Sequence, residues 1–493
     1  MAGPAPPDRA FVLSGRTTAG LLLIAALLLR VPHFGDPAFM IDEQFYLVAG
    51  DRLLHGQLPF IDTWDRKPFG LFAIYAVAAA FGPAAILVYQ VMATLCAAAT
   101  GWIMAHIARP VAGSTGATAC GVLYLVWVEL CEGGGGQSPI FYNLPMAGAA
   151  LATLRAVSAA DDDGFRRPAY GAMALTGLAI QIKYTAMFEG LFFGLVLAWS
   201  NWNRRGSATT ALIRAGQLAA TALLPTLLIF AGYAAFGHAR DFWFANVASI
   251  FLRAPTPPVD LVPRIEIIML ILAPFALCGA AAFLSPGAGA DIEARRWRRF
   301  LFGWCAASLI GIFAVGTLYQ HYVLPALVPF GIAAAPIYRR RTVGIVLALL
   351  VGLLPLSHLK YPNVAAAEQH RQEIAALTAL IPRTVDAGCL QVFDGPSILY
   401  WTTHACTVTR YIFPDHLSAA IEQDAIGVDT ARELARVLAR RPLAIVLSDI
   451  YLREPNRRTY AILHAALGRD YRLAGTSPFE GRGIKVWVRR PTA

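Results

Sequence analysis

MIDEQFYLVAGDRLLHGQLPFIDTWDRKPFG, Met40–Gly70, is the longest polar interruption in the first quarter of a very apolar chain. It gathers Asp42, Glu43, Asp51, Asp62 and Asp65 with Arg52, Arg66 and Lys67 between two hydrophobic runs. Glu43–His55 has helical spacing, with Tyr46, Gly50, Leu53 and Leu54 on one side and Asp51, Arg52 and His55 elsewhere. This is the pattern of a short helix lying on a membrane surface. Gly56 stops it and Pro59 forces the chain to extend.

The rest of the chain explains why such a loop exists. Of 493 residues, 57% are hydrophobic and only 15% charged, with a mean hydropathy of +0.53. Soluble domains carry about 25% charged residues. The deficit, with repeated long apolar runs, indicates a polytopic membrane protein. The net charge of +10 comes from Lys and Arg clustered in short loops between apolar runs. That is a topology signal and argues against nucleic-acid binding.

The Pro-rich N-terminus, Met1–Arg16, reads as disordered. The first span is expected at Thr17–Phe34, uncleaved because the following VPHFGDP has no small-residue cleavage site. Arg9 and Arg16 place the N-terminus in the cytoplasm, and the Met40–Gly70 loop then lies outside, in the periplasm of a Gram-negative cell. The apolar run Phe69–Ala108 is too long for one span and short for two. If Phe69–Phe81 does not cross, Ala84–Ala108 delivers Arg109 to the cytoplasm. Spans then follow at Gly116–Leu130, Ile140–Ser158, Ala169–Lys183, Thr185–Trp199, Thr209–Phe236, Leu261–Leu284, Phe300–Thr317, Val323–Ile337 and Thr342–His358. This count puts Arg166-Arg167, Arg204-Arg205, Arg295–Arg299 and Arg339–Arg341 inside; the alternative puts all of them outside. The positive-inside rule selects the first, giving about eleven crossings. It also places Glu129–Asn143, Gln181–Thr185, His238–Pro263 and Leu318–Tyr322 on the same side as the acidic loop.

From Tyr361 onward the charge density is ordinary. Leu390–Phe393, Pro396–Thr402, Thr407–Tyr411, Thr430–Arg440, Leu443–Leu447, Asn456–Leu467 and Ile484–Val488 alternate between strand and helix patterns. The expected architecture is an α-helical membrane domain over 1–360, with a catalytic loop at 35–68. A soluble periplasmic α/β domain over 361–493 acts as lid or acceptor platform. Cys96, Cys120, Cys131, Cys278 and Cys305 read as small apolar residues in or near spans. Cys389 and Cys406, in the exported domain, read either as a disulfide or as two buried thiols.

A carboxylate at a membrane surface acts as general base on a hydroxyl, and a neighbouring Lys or Arg holds a departing phosphate. Asp42 with Arg66 and Lys67 supplies these parts. Lys183, at the outer end of a span, is read either as a further phosphate ligand or as a snorkelling lysine. His321, Tyr322 and Arg264 are further candidates in outer segments. So is Arg253, which with Arg264 flanks a Pro-rich loop.

The sequence D-E-x-x-Y, then Leu-Leu-x-Gly-x-x-Pro-Phe, then Asp-Thr-Trp-Asp-Arg-Lys-Pro resembles the first outer loop of GT-C type integral-membrane glycosyltransferases. More narrowly it resembles bacterial members of the protein-mannosyltransferase superfamily, including aminoarabinose and galacturonic acid transferases acting on lipopolysaccharide. The motif likeness covers Ile41–Gly82. The resemblance implies a polyprenyl-phosphate-linked sugar donor and an inverting single displacement without a nucleotide cofactor. It implies a lipid or glycan of the cell envelope as acceptor, at the inner membrane. A divalent metal is left open. By motif, Asp42 matches the catalytic carboxylate, Glu43 its acidic neighbour and Lys67 a basic residue near the donor phosphate. Tyr46, Asp62 and Asp65 of the same loop become candidate substrate contacts. One departure stands out. Family members often carry an acidic residue shortly before a later Leu-Pro element, whereas Gln137–Asn143, ahead of Leu144-Pro145, has none. Glu129 and Glu132 lie just upstream.

Two other classes fit the composition. A transporter or lipid flippase needs ionisable residues deep within spans and often internal repeats; here the span interiors are nearly free of charge and the sequence shows no repeat. A structural or sensor protein leaves the charged first loop unexplained.

Overall fold

A computed structural model describes residues 13–205, 207–284, 292–359, 361–382 and 388–491. The expectation of a disordered N-terminus, and the placement of Arg9, fall largely outside these residues.

The helices α1 Gly15–Arg30, α2 Ile41–Leu54, α3 Phe69–Ala79, α4 Ala85–Leu130, α5 Ser138–Ser158, α6 Asp162–Ile180 and α7 Ala186–Arg205 come first. They are followed by α8 Ala208–Ala235, α9 Ala239–Asn246, α10 Pro258–Phe283, α11 Ile292–Phe313, α12 Leu327–Ala334 and α13 Arg341–His358. Each expected span contains a helix, and among the described residues five helices are long and apolar enough to cross a membrane. The outward faces of α1, α8, α10 and α13 expose Ile24, Leu28, Leu227, Leu228, Leu270, Leu277, Leu349 and Leu350, an apolar belt suited to lipid.

Helix α3 has eleven residues, about 16 Å at 1.5 Å per residue, half of a bilayer core. It packs beside α2, where Gly50 meets the backbone of Tyr75 so closely that an added Cβ would lie 2.5 Å from it. Helix α4 reverses at Gly113, whose φ is +64°. Its two halves return antiparallel, with Gly101 and Gly121 in backbone contact. Small residues allow this approach between apolar helices. Arg109, at the reversal, donates to Leu13 O beside the start of α1, and Trp297 Nε1 donates to Ile107 O at 3.3 Å. These Arg-rich turns therefore share one end of the bundle. Asp42, Gln137 and His321 share the other.

The surface-lying helix expected at Glu43–His55 is α2, but Glu43–Gly50 is buried rather than exposed. It is roofed by the C-terminal domain, with Phe413 against Phe45 and the Ile398 amide facing Gln44. That domain comprises α14 Val364–Leu380, β1 Leu390–Asp394, α15 Leu399–Thr403, α16 Asp415–Ser418, α17 Thr430–Ala439, β2 Ala444–Ser448, α18 Arg457–Asp470, β3 Tyr471–Phe479 and β4 Arg482–Arg489. The strand order is β1-β2-β4-β3, with β1 and β2 parallel and the other pairs antiparallel. Strands β1 and β2 are buried throughout, as a parallel pair covered on both faces must be.

Two expectations are corrected. Thr407–Tyr411 is not a strand. Thr407 makes one bridge to Leu390, and Arg410 O instead accepts from Trp64 N at 2.9 Å. The acidic loop takes the backbone bonds a sheet would have used. Conversely the sequence of β3 carries no clear strand pattern, because Gly475 and Pro478 interrupt it, and the strand forms as a hairpin with β4. Cys389 and Cys406 form a disulfide.

Candidate active site

Asp42 lies in the first turn of α2, where unpaired N–H groups favour a carboxylate. Gln137, at the foot of α5, donates Nε2 to its Oδ2 at 3.1 Å. Lys67 Nζ is 3.8 Å from Oδ1 and His321 Nε2 is 4.0 Å from Oδ2. Burial alone would raise the pKa of Asp42. Lys67, His321, the Gln137 hydrogen bond and Lys183 outweigh it and hold the carboxyl at about 2. Asp42 is therefore ionised, with 16% of its side chain still accessible.

Lys67 sits between Asp42 and Asp65, 3.6 Å from the latter, with its Nζ over the Tyr46 ring at 5.4 Å. Burial opposes its charge, but Asp65, Tyr46 and Asp42 more than offset this and keep its pKa well above the usual lysine value. Lys183 lies over the Tyr322 ring at 4.4 Å. It lines a crevice with Tyr142, Glu189 and Tyr322 that runs down between α5, α7 and α11. His321 Nδ1 is 2.9 Å from Glu132 Oε2, so Glu132, His321 and Asp42 form a row. Glu132 thus reaches the site that lacks a carboxylate at Gln137, while Glu129 faces Arg30 and His33 instead.

The Gly133–Gly136 run is tied down. Arg30 Nη1 donates to Gly133 O at 2.7 Å and Nη2 to Gly135 O; the Tyr75 hydroxyl donates to Gly136 O at 2.7 Å. A Cβ on Gly135 would lie 2.1 Å from a Glu43 oxygen and one on Gly136 2.3 Å from the Tyr75 hydroxyl. A side chain at either position would have to displace Glu43 or the tyrosines, and the strap delivers Gln137 to Asp42.

Glu43 does not join Asp42. Successive helical residues point about 100° apart, and Glu43 turns into this strap, buried. Its oxygens face the Gly136 amide and Tyr89 hydroxyl without a well-directed hydrogen bond. Burial pushes its pKa up to about 8, against the partial opposition of Gly136 and Arg30.

The other candidates divide. Tyr46, Asp65, Lys183, His321 and Tyr322 surround Asp42 and Lys67. Arg66 turns away to Glu422 at 2.7 Å, Ala425 O and Ser249; Glu422, which also holds Arg253, is buried in the C-terminal domain and draws both guanidiniums. Asp62 accepts from Leu58 N at 2.8 Å and closes a turn. Arg264 donates to Thr317 O at 2.7 Å and covers the Tyr319 ring at 4.7 Å, one ring removed from His321.

Sequence reasoning missed Gln137, Arg30, His416 and Arg453. His416 Nε2 lies 3.7 Å from Asp65, and Arg453 pairs with Asp415, donates to the Tyr319 hydroxyl and covers its ring at 4.6 Å. Both come from the C-terminal domain, and no local signal marks contacts so distant in sequence. Among the described residues no group of three or more His, Cys, Asp or Glu side chains is arranged to hold a metal ion.

The whole architecture recurs in known structures. ArnT from Cupriavidus metallidurans bound to undecaprenyl phosphate superposes with a TM-score of 0.63 at 12% identity, over 96% of this chain and 97% of that one. Its apo form gives 0.62 at 14% identity, over 96% and 98%. An oligosaccharyltransferase from Archaeoglobus fulgidus, tethered to an acceptor peptide with an NVT sequon, gives 0.50 at 11% identity, over 88% of this chain and 69% of that one. No family model and no curated protein sequence matches the chain.

Proposed function

From the GT-C type membrane glycosyltransferase fold of this chain, we propose that it moves a sugar from a polyprenyl-phosphate carrier to a lipid or glycan of the cell envelope. The reaction takes place at the outer face of the inner membrane, with the N-terminus cytoplasmic and the C-terminal domain periplasmic. One observation carries the reading. An ionised carboxylate, Asp42, stands beside a protonated Lys67, with Lys183 and His321 close by, at one end of an apolar bundle. ArnT binds undecaprenyl phosphate in the same fold, which supports a carrier of that chemistry.

The acceptor hydroxyl approaches Asp42 and gives up its proton as its oxygen attacks the anomeric carbon from the face opposite the phosphate. The carbon–oxygen bond to phosphate breaks, configuration inverts, and polyprenyl phosphate leaves with the bond's electrons. Lys67 and Lys183 stabilise that growing charge, the larger part of such catalysis. The low pKa of Asp42 belongs to a site where Lys67 sits between Asp42 and Asp65. A bound phosphate shares that lysine's charge and raises the basicity of Asp42, so donor binding prepares the base. Glu132 orients His321, which steadies Asp42. Glu43 is a buried neutral carboxyl behind the site.

The test is transfer by the purified chain from a panel of radiolabelled polyprenyl-phosphate sugars to an envelope lipid extract. Transfer by the wild type and its loss in Asp42→Asn establish the reading and name the sugar. Consumption of no donor by the wild type would move the protein to the flippase class.

A further inference from the structure

A second polar cleft opens at the far end of α2. Arg52 and Asp42 are ten residues apart on this helix, about 15 Å at 1.5 Å per residue. The cleft has a volume of about 710 Å³. Its floor comes from the acidic loop, with Arg52, Gln57 and Asp62. Its roof comes from the C-terminal domain, with Thr409, Arg410, Arg436 and Arg440. Neither half has the site alone.

The cleft's four guanidiniums, Arg52, Arg410, Arg436 and Arg440, outnumber its two carboxylates, Asp62 and Glu433, and both carboxylates already have partners. Asp62 accepts from Leu58 N, and Glu433 accepts from Thr409 Oγ1 and pairs with Arg436. Each guanidinium has five N–H donors. Arg52 uses Nε on Gln57 and Nη1 on Thr407. Arg410 uses Phe60 O, the Tyr411 hydroxyl and Asp241. Arg440 uses Val408 O. Every one keeps donors in reserve, and the Arg436 side chain remains 57% exposed. Planar donor forks in surplus over acceptors are the chemistry of phosphate and carboxylate recognition. The cleft is also wide enough for one or two sugar units.

We propose that this cleft binds the anionic, non-reacting part of the acceptor: a glycan segment bearing phosphate or carboxylate groups. The reacting hydroxyl then reaches Asp42 about 15 Å away. This rests on the glycosyl-transfer reading. It adds to it a docking site assembled only when the C-terminal domain covers the acidic loop, so that domain selects the acceptor by charge.

The experiment uses the full chain in neutral phosphatidylcholine nanodiscs and the Arg410→Gln/Arg436→Gln double variant. Arg436 is exposed and Arg410 partly exposed, and neither touches the Asp42 cluster. The probe is a phosphorylated oligosaccharide released from envelope lipid by mild hydrolysis, compared with the same sample after phosphatase treatment. The wild type should bind the phosphorylated form at least ten-fold more tightly, with a steep salt dependence, and the double variant should lose that preference. In the transfer assay the variant should raise the acceptor KM about ten-fold and leave kcat within two-fold. Equal binding of the two forms by the wild type, or an unchanged preference in the variant, overturns the proposal. So does a variant whose only change is weaker association with nanodiscs containing phosphatidylglycerol, since that marks a lipid-headgroup site. Binding retained with no transfer from any donor would instead break the catalytic reading and leave the cleft standing.

Discussion

Asp42 and Glu43 are neighbours in the sequence and opposites in the fold. Asp42 faces Lys67, Gln137 and His321; cations and a donated hydrogen bond overcome its burial and leave a carboxylate at about 2. Glu43 faces a glycine strap and tyrosine rings; burial wins and its carboxyl titrates at about 8. One helical step of about 100° separates an ionised carboxylate from a buried acid that keeps its proton. An acidic pair in a motif is thus not two copies of one function. The residue with cationic partners carries the charge, and its neighbour is buried against the glycine strap behind it.

The largest effect expected from this contrast is at Asp42. Asp42→Asn keeps the shape and the Gln137 contact but removes the base, so transfer should fall about 10²–10⁴-fold with little change in Tm. Lys67 is next. Lys67→Met leaves Asp42 and Asp65 without their shared cation, and kcat should fall about 10²–10³-fold. Lys67→Arg should recover part of it if charge, rather than shape, is what the leaving phosphate needs. A Lys67→Met enzyme with normal kcat and a raised donor KM would show that the lysine only binds. Single-turnover measurements at saturating donor separate the two outcomes.

Much of this was readable in the sequence, for identifiable reasons. The bundle was legible because lipid tolerates only long apolar helices with charge confined to their ends, and the Arg-rich turns do gather at one end. The meeting of Asp42 with Lys67 was legible because both sit in one continuous loop whose residue order is itself the signal. The fates of Arg66 and Glu43 were not. Arg66 is claimed by Glu422, more than 350 positions away, and the direction of Glu43 depends on a strap held by Arg30 of the first helix. Four consecutive glycines, Gly133–Gly136, read the same in sequence whether the run swings freely or is clamped against a carboxyl.

A smaller effect tests whether the C-terminal domain takes part in this contrast or merely shelters it. Besides His416 at Asp65, that domain extends Arg453 toward the site, across the Tyr319 ring that stacks on His321. Losing a charge-assisted contact of about 1.5–3 kcal/mol should lower kcat/KM for the acceptor about ten-fold or more in Arg453→Ala. Since Asp415 also loses its partner, Arg453→Lys provides the control: it should restore stability before it restores kcat/KM. Unchanged transfer in both variants would reduce the domain to a cover.

The smallest effect on transfer, and the sharpest test of the contrast, is at Glu43. Glu43→Gln imitates the protonated acid, so transfer at neutral pH should stay within about two-fold of wild type, in keeping with a group that does not titrate during turnover. Stability should reveal the difference instead. The folded pKa of about 8 lies above the ordinary 4.5, so the folded chain keeps a proton that the unfolded chain releases. That contribution is complete below pH 4.5 and is lost as pH rises toward 8. Glutamine has no proton to lose. The Tm of Glu43→Gln relative to wild type should therefore climb between pH 5 and pH 8 and level off beyond it. If the two melting curves keep a constant offset across that range while transfer collapses as in Asp42→Asn, the two carboxylates work as a catalytic pair after all, and the division drawn across this helix is wrong.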